Sequence, residues 1–353
     1  MLRYILIRVG WVFIMLVAIL TTTFMLLKTA PEFPPTKKEE KDVWLTKQTT
    51  DGYMTMEIVD DPQNKLVENP KAKIFVVRID NSTQAKLFKG VPLINQFFSW
   101  VKNIVTRWDW GTSTRLKVNV PAFELLQERI PTTLRLNIIA LLVYLPFGLL
   151  LGILAALKKN KLTDNIIQIA VMVFISIPGL ILIMFLLIIF GYNLQWLPTQ
   201  FPAASHSTSQ QILGLIIPIT AMSLPSIAGL SRIMRAELGE VLTSEFVLLA
   251  RTKGLSYRQS IYRHAIRNSM VPLVPTVIGS FAGLLGGSIV MERVYSIPGT
   301  GTLILRALTT GNFDYNVILV STAFYTVIGL FTTLLVDLSY GIVDPRIRMG
   351  ASK

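Results

Sequence analysis

Six long apolar runs, separated by polar intervals, set the pattern of this chain. They cover residues 1–30, 130–157, 165–190, 212–230, 270–291 and 315–336. About twenty apolar residues in a helix cross the hydrocarbon of a bilayer. A helix is also the simplest way to satisfy the backbone there. Each run is therefore expected to be a helical span, with Pro146, Pro178, Pro218 and Pro225 tolerated inside. In the fifth run, Gly279, Ala282, Gly283, Gly286 and Gly287 are small enough for close helix approach. The first run opens with Arg3 and Arg8 and stays apolar to Leu27. That core is long for a cleaved leader, and no small-x-small site stands out before Pro31, so a retained span is expected.

The polar intervals orient the spans. Lys158, Lys159 and Lys161 mark one short basic turn, and residues 231–272 form a longer basic island. The positive-inside rule puts both in the cytoplasm. Intervals 191–211 and 292–314 then lie outside, and both termini inside, the second ending through Asp344, Arg346, Arg348 and Lys353. Residues 31–129 form a long outside segment. Its many lysines and arginines do not oppose this, because long segments translocate largely regardless of charge. The expected organisation is a first transmembrane helix (1–30), an extracytoplasmic loop or insert (31–129) and a core of five transmembrane helices (130–349) carrying the loop 231–272. Within the insert, residues 53–59 and 73–79 pattern as strands around a turn at 60–70. Residues 32–90 are thus a small β-rich lobe or a solvated spacer. Residues 95–108 place Phe97, Phe98, Val101, Ile104, Val105 and Trp108 at helical spacing suited to a membrane interface.

Composition agrees with an all-α polytopic membrane protein. The 353 residues are 52% hydrophobic and 16% charged. The formal net charge of +13 is explained by basic cytoplasmic loops, without nucleic acid. The absence of cysteine excludes disulfides and thiolate metal sites. The two histidines, His206 and His264, fall on opposite faces of the expected topology, which disfavours a metal centre. No run has an ionisable residue near its middle. Arg135 is at an end, and Glu292, Asp314 and Asp337 flank runs. Buried acids would be expected of an ion-coupled carrier, and a nucleophile with its base or metal of an intramembrane hydrolase. The chain is therefore expected to catalyse nothing and to bind no cofactor or metal.

The island 231–272 carries the sharpest local signals. Thr243 and Ser244 suit the start of a short helix with Glu245 in its first turn. Phe246, Leu249 and Ala250 then lie along one side, and Gly254 suits a left-handed C-terminal cap. Ser256 and Gln259 have capping-box spacing for a second helix over 257–269.

This island, EFVLLARTKGLS followed by HAIRN and Pro272, resembles the cytoplasmic coupling loop of binding-protein-dependent ABC transporter permeases, and most closely the B-subunit branch of the oligopeptide/dipeptide type. Phe246, Ala250, Arg251, Lys253, Gly254, Leu255, His264, Ala265, Arg267 and Asn268 are in register with that family. Leu248, often basic there, and Thr252, often alanine, depart from it. WDWGTS at 108–113, IPTTLRL at 130–136, MERVYSIPGTG at 291–301 and VDPRIR at 343–348 resemble further family motifs, with Thr300 in place of a usual leucine. The resemblance implies six transmembrane helices of the MetI-like importer type in the bacterial plasma (inner) membrane. It implies a second permease subunit as heterodimer partner, two cytoplasmic ATPase subunits that bind ATP and Mg, and an extracytoplasmic peptide-binding protein. It also implies roles: Glu245 starts the coupling helix beside Phe246, Ala250 and Gly254 keep it slim for an ATPase groove, and Arg251 and Lys253 pair with acidic groups. The implied cargo is an oligopeptide or dipeptide. Nickel, glutathione or another small solute on the same architecture, and a scaffold or channel without ATP coupling, are the alternatives.

Overall fold

The computed structural model describes residues 2–29, 34–63, 65–80, 82–203, 207–282, 284, 289–309 and 313–343. The expected features at His206, Gly283, Gly286, Gly287 and 344–353 lie outside these. Helix α1 covers Leu2–Thr29 and α2 Lys38–Thr50. Strands β1 (Met54–Asp60), β2 (Ile74–Arg78) and β3 (Gln84–Gly90) follow, then α3 (Leu93–Arg107), α4 (Ala122–Gln127), α5 (Ile130–Leu157), α6 (Leu162–Ser176) and α7 (Gly179–Leu186). Next come α8 (Thr208–Val241), α9 (Glu245–Thr252), α10 (Tyr257–Ser260) and α11 (Ile266–Ser269). The chain closes with α12 (Val274–Ala282), α13 (Ile289–Val294), α14 (Thr300–Leu308) and α15 (Tyr315–Val343). Among the described residues four helices are long and apolar enough to cross a membrane: Ile5–Thr29, Ala122–Leu157, Thr208–Val241 and Tyr315–Ser339. A fifth is added if α6 and the segment after it form one bent span.

Three of the expected runs take a different form. The run 165–190 is not a single helix but turns by 103° between α6 and the following helix. The cause is local. Pro178 cannot donate to the helix and excludes the α region for the residue before it. Ile177 is accordingly extended, at φ −82° and ψ 120°. The run 212–230 does not end at Leu230, because α8 continues to Val241. The run 270–291 opens on turns, and its helix α12 starts only at Val274.

The chain divides into two compact units. The first comprises Met1–Gly10, Pro131–Thr302 and Ile328–Lys353, and its centre is the seam between α5 and α8. Gly148 and Gly152, one helical turn apart, let the two backbones approach. A Cβ on Gly152 would lie 2.6 Å from Met234 Cβ and 2.8 Å from the Ser231 carbonyl, and one on Gly148 would lie 2.9 Å from Leu230 Cβ. Ser231 Oγ donates to the Gly148 carbonyl at 3.0 Å. Small residues and hydroxyls are what holds apolar helices together where the surroundings are as apolar as the side chains. Glu292 is fully buried in this unit. Its carboxylate accepts from Thr133 Oγ1 and from the Thr302 backbone N–H, each at 2.9 Å. Gly299 has no room for a side chain, since a Cβ would fall on the Glu292 carboxyl. The glycines of the 298–301 turn therefore make space for an acid. Arg8 pairs with Asp337 at 3.0 Å.

The second unit comprises Trp11–Ile130 and Leu303–Val327. It holds an antiparallel sheet of order β1-β3-β2, with Met54 opposite Gly90 and Ile74 opposite Lys89. The first two strands fall within a residue of the sequence expectation, but they do not pair with each other. The polar strand β3 lies between them, its Lys86 paired with Asp42 and its Lys89 with Glu57. Trp44, Leu45, Met54, Phe75, Val77 and Phe88 form the core between α2 and the sheet. Helix α3 turns an unusual face inward: Gln96, Trp100 and Asn103 are buried while Phe98 and Val105 are exposed. Asp314 is buried too, accepting from Ser113 Oγ at 2.6 Å and from the Thr114 and Arg115 backbone N–H groups at 3.0 and 3.1 Å.

The α5–α8 seam gives a controlled test. Gly152→Ala should destabilise the protein by about 1–3 kcal/mol, because backbone and Cβ atoms must move apart. Gly229→Ala and Gly239→Ala, which meet nothing within 4 Å in the same bundle, should be neutral or mildly stabilising. Unfolding in mixed detergent micelles measures all three. Equal losses would show that close approach at Gly152 is unimportant.

Candidate coupling surface

The end of α8 leads directly into the island's short helices. Ser244 is the residue before α9, as expected, but its side chain does not cap that helix. Ser244 Oγ donates backwards to the Val241 carbonyl at 2.6 Å, and Thr243 Oγ1 donates to the Glu240 carbonyl at 2.9 Å. Both hydroxyls thus close the open carbonyl end of α8, which needs donors as much as α9 needs acceptors.

Gly254 ends α9 as its sequence position predicts. Its φ of +93° is a left-handed conformation that side chains disfavour. Leu255 N–H reaches the Ala250 carbonyl at 3.3 Å and Gly254 N–H reaches the Arg251 carbonyl at 3.0 Å. This is the paired closure of a Schellman motif. The capping box at Ser256 and Gln259 is complete in both directions and starts α10 at the next residue, Tyr257. The expected second helix over 257–269 is present as one winding path, α10 and α11 joined by a π-helical turn at Ile261–Ala265.

Burial divides the named residues into two sets. Val247 and Ala250 are buried. Val247 packs in a cluster with Leu238, Met234, Ala265 and Leu273. Ala250 was expected on the same side as Phe246 and Leu249, facing outward. The structure turns it inward, at 8% exposed, because helix α9 is seated by its 247/250 edge. The opposite face shows Phe246, Leu248 and Leu249, at 44%, 61% and 55% exposed. Glu245, Arg251 and Lys253 are exposed around them. The Arg251 guanidinium lies 5.6 Å from the centre of the Tyr257 ring, close enough for a cation–π contact. An apolar cluster ringed by charge on a short, fixed helix is the composition of a docking patch.

Sequence reasoning missed the pair that anchors this region. Asp164, in the first turn of α6, is buried. It receives Arg235 of α8 through two bonds, Nε to Oδ1 and Nη2 to Oδ2, each 2.7 Å. The Asn160 backbone N–H adds a third at 2.9 Å. Two parallel bonds of this kind fix direction as well as distance. The signal lay in KLTD and SRIMR, where an acid and a base sit at the polar ends of two apolar runs.

Residues 148–349 match the family of binding-protein-dependent transport system inner membrane components. Relatives extend the match. The chain is 35% identical over 259 residues to the dipeptide transport system permease protein DppB of Bacillus subtilis (strain 168), covering 73% of this chain and 80% of that one. It is 31% identical over 265 residues to the oligopeptide transport system permease protein OppB of Haemophilus influenzae, covering 75% of this chain and 84% of that one. The chain belongs to this family and is a multi-pass membrane protein of a transport system.

The anchor makes unequal predictions. Arg235→Gln leaves a buried carboxylate without its partner and should cost roughly 3–5 kcal/mol. Asp164→Asn leaves only a partly exposed arginine and should cost less. The double variant should be less damaged than the sum of the two. Thermal melts of the purified protein decide it, and strict additivity would mean that the pair contributes no coupling.

Proposed function

We propose that this chain is one of two permease subunits of an ATP-driven importer of oligopeptides or dipeptides. The cargo follows from the relatives, whose names specify dipeptide and oligopeptide transport. On this reading the chain spans the bacterial plasma membrane six times with both termini cytoplasmic, and a second, related permease completes the pathway. Two cytoplasmic ATPase subunits bind ATP and Mg, and an extracytoplasmic binding protein delivers the peptide.

The observation that carries the coupling role is the exposed face of α9. Phe246, Leu248 and Leu249 are exposed among the described residues, while the helix that bears them is closed at its C-terminal end and seated through Val247. Phe246 enters the ATPase groove, and Arg251 and Lys253 pair with its acidic rim. Glu245 supplies the favourable charge at the helix start. Ala250 acts from the inner face, letting α9 sit close to its support, and Gly254 holds the turn. Movement of the ATPases is then passed to α8 and, through Asp164 and Arg235, to α6.

Phe246→Glu should leave the membrane level and melting temperature of the chain nearly unchanged, because the residue lies on the exposed face of α9. Placing an unpaired charge in the groove should cost several kcal/mol of association. Co-purification of the ATPase subunits and peptide uptake should fall at least about tenfold. Val247→Glu, on the buried face, should instead lower the amount of folded protein. Full uptake by Phe246→Glu would remove α9 from the drive train. Orientation is tested separately. A reporter joined after Gln195 should be accessible from outside and one after Ser256 from the cytoplasm, and the reverse labelling would overturn the topology.

A further inference from the structure

A cavity of about 700 Å³ opens in the first unit between the start of α5, the segment 198–203, the start of α8 and the turn 296–298. Its floor is apolar, from Leu136, Leu215 and Ile297, which belong to the buried cluster of this unit. Its walls are uncharged and polar, from residues such as Gln200 and Gln210. Arg135 is the only charged side chain among the described lining residues. Arg135 is exposed, and among the described residues no carboxylate pairs with it and no carbonyl receives it.

The cavity is built rather than incidental. Tyr295, fully buried, donates its hydroxyl to the Pro198 carbonyl at 2.5 Å, and Phe201 N–H donates to the Tyr295 carbonyl at 2.9 Å. Burial pushes the Tyr295 hydroxyl up to about 12, so it remains a donor across the physiological range. These bonds fix the 198–203 wall to the 295–298 turn. Ser296 holds a left-handed φ of +56° at the rim. The result is a fixed, partly apolar chamber of the size that takes a small organic ligand, with one guanidinium looking for an anion.

We infer that Arg135 receives a carboxylate of the transported peptide in this cavity, on the extracytoplasmic side of the pathway. The inference rests on the importer reading given above. A guanidinium matches a carboxylate through two parallel hydrogen bonds. The apolar floor and the glutamines suit side chains and amides of varied sequence, so the shared terminal carboxylate is the group that a single fixed charge selects. An exposed arginine beside an apolar floor also favours loading from a binding protein, because a cleft carrying one sign of charge draws in the opposite one.

The test uses the complete complex in proteoliposomes, with a tripeptide as the free acid and as its C-terminal amide, each at a concentration that saturates the binding protein. The wild-type complex should turn over the free acid about tenfold faster than the amide. Arg135→Gln should bring the acid down to the amide rate and leave the amide within about twofold. Arg135→Lys, which keeps the charge without the fork, should recover part of the preference. Equal slowing of both peptides by Arg135→Gln, or an unchanged acid preference, would overturn the assignment. Peptide-stimulated ATP hydrolysis checks that the variant complex is assembled. A wild-type complex that moves neither peptide would overturn the importer reading and this assignment with it.

Discussion

The close contact of α5 with α8 is the constraint on which the first unit depends. It requires Gly148 and Gly152 to be bare and Ser231 to be able to donate across the gap. In a membrane the hydrophobic effect does not press helices together, so the approach distance decides whether they associate. Once α8 is fixed along α5, its extension to Val241 holds Arg235 opposite Asp164 and gives Val247 of α9 a floor of Met234 and Leu238. The apolar seam and the exposed patch of α9 are thus parts of one support.

Three buried carboxylates repeat a single solution. Asp164, Glu292 and Asp314 are each almost wholly inaccessible. Each accepts hydrogen bonds from a backbone N–H and at least one side chain. Burial of a charged group is tolerable only with such partners. Each acid also stands at a helix end or next to a turn, where backbone donors are free. This gives a physical reason for the run MERVYSIPGTG. The glutamate needs donors from the turn, and the turn needs glycines so that the glutamate fits.

Local signals were the most legible part of the sequence. The capping box at Ser256, the left-handed Gly254 and the two β-rich strands each depend on residues close in the chain. The third strand was hidden because Lys86 and Lys89 make it polar, and only their partners Asp42 and Glu57 explain them. The inward face of α9 was hidden for the same reason: periodicity groups Phe246 with Ala250, but the support under Val247 chooses the 247/250 edge. Asp164 and Arg235 are 71 residues apart, so no window of sequence shows them together. The sharp turn at Pro178 was written in the sequence, and its consequence was underestimated because many membrane helices carry proline with a modest kink.

The elbow between α9 and α10 has a mechanical consequence. Its backbone is closed by the Ala250 and Arg251 carbonyls on one side and by the Ser256–Gln259 box on the other. Bending it would break several hydrogen bonds, at a net cost of about 0.5–1.5 kcal/mol each. The elbow is therefore stiff. The junction with α8 is closed as well, because the N–H and hydroxyl groups of Thr243 and Ser244 all donate to the Glu240 and Val241 carbonyls. With Val247 packed on Met234 and Leu238, a load on α9 would pass undiminished into the long rod of α8.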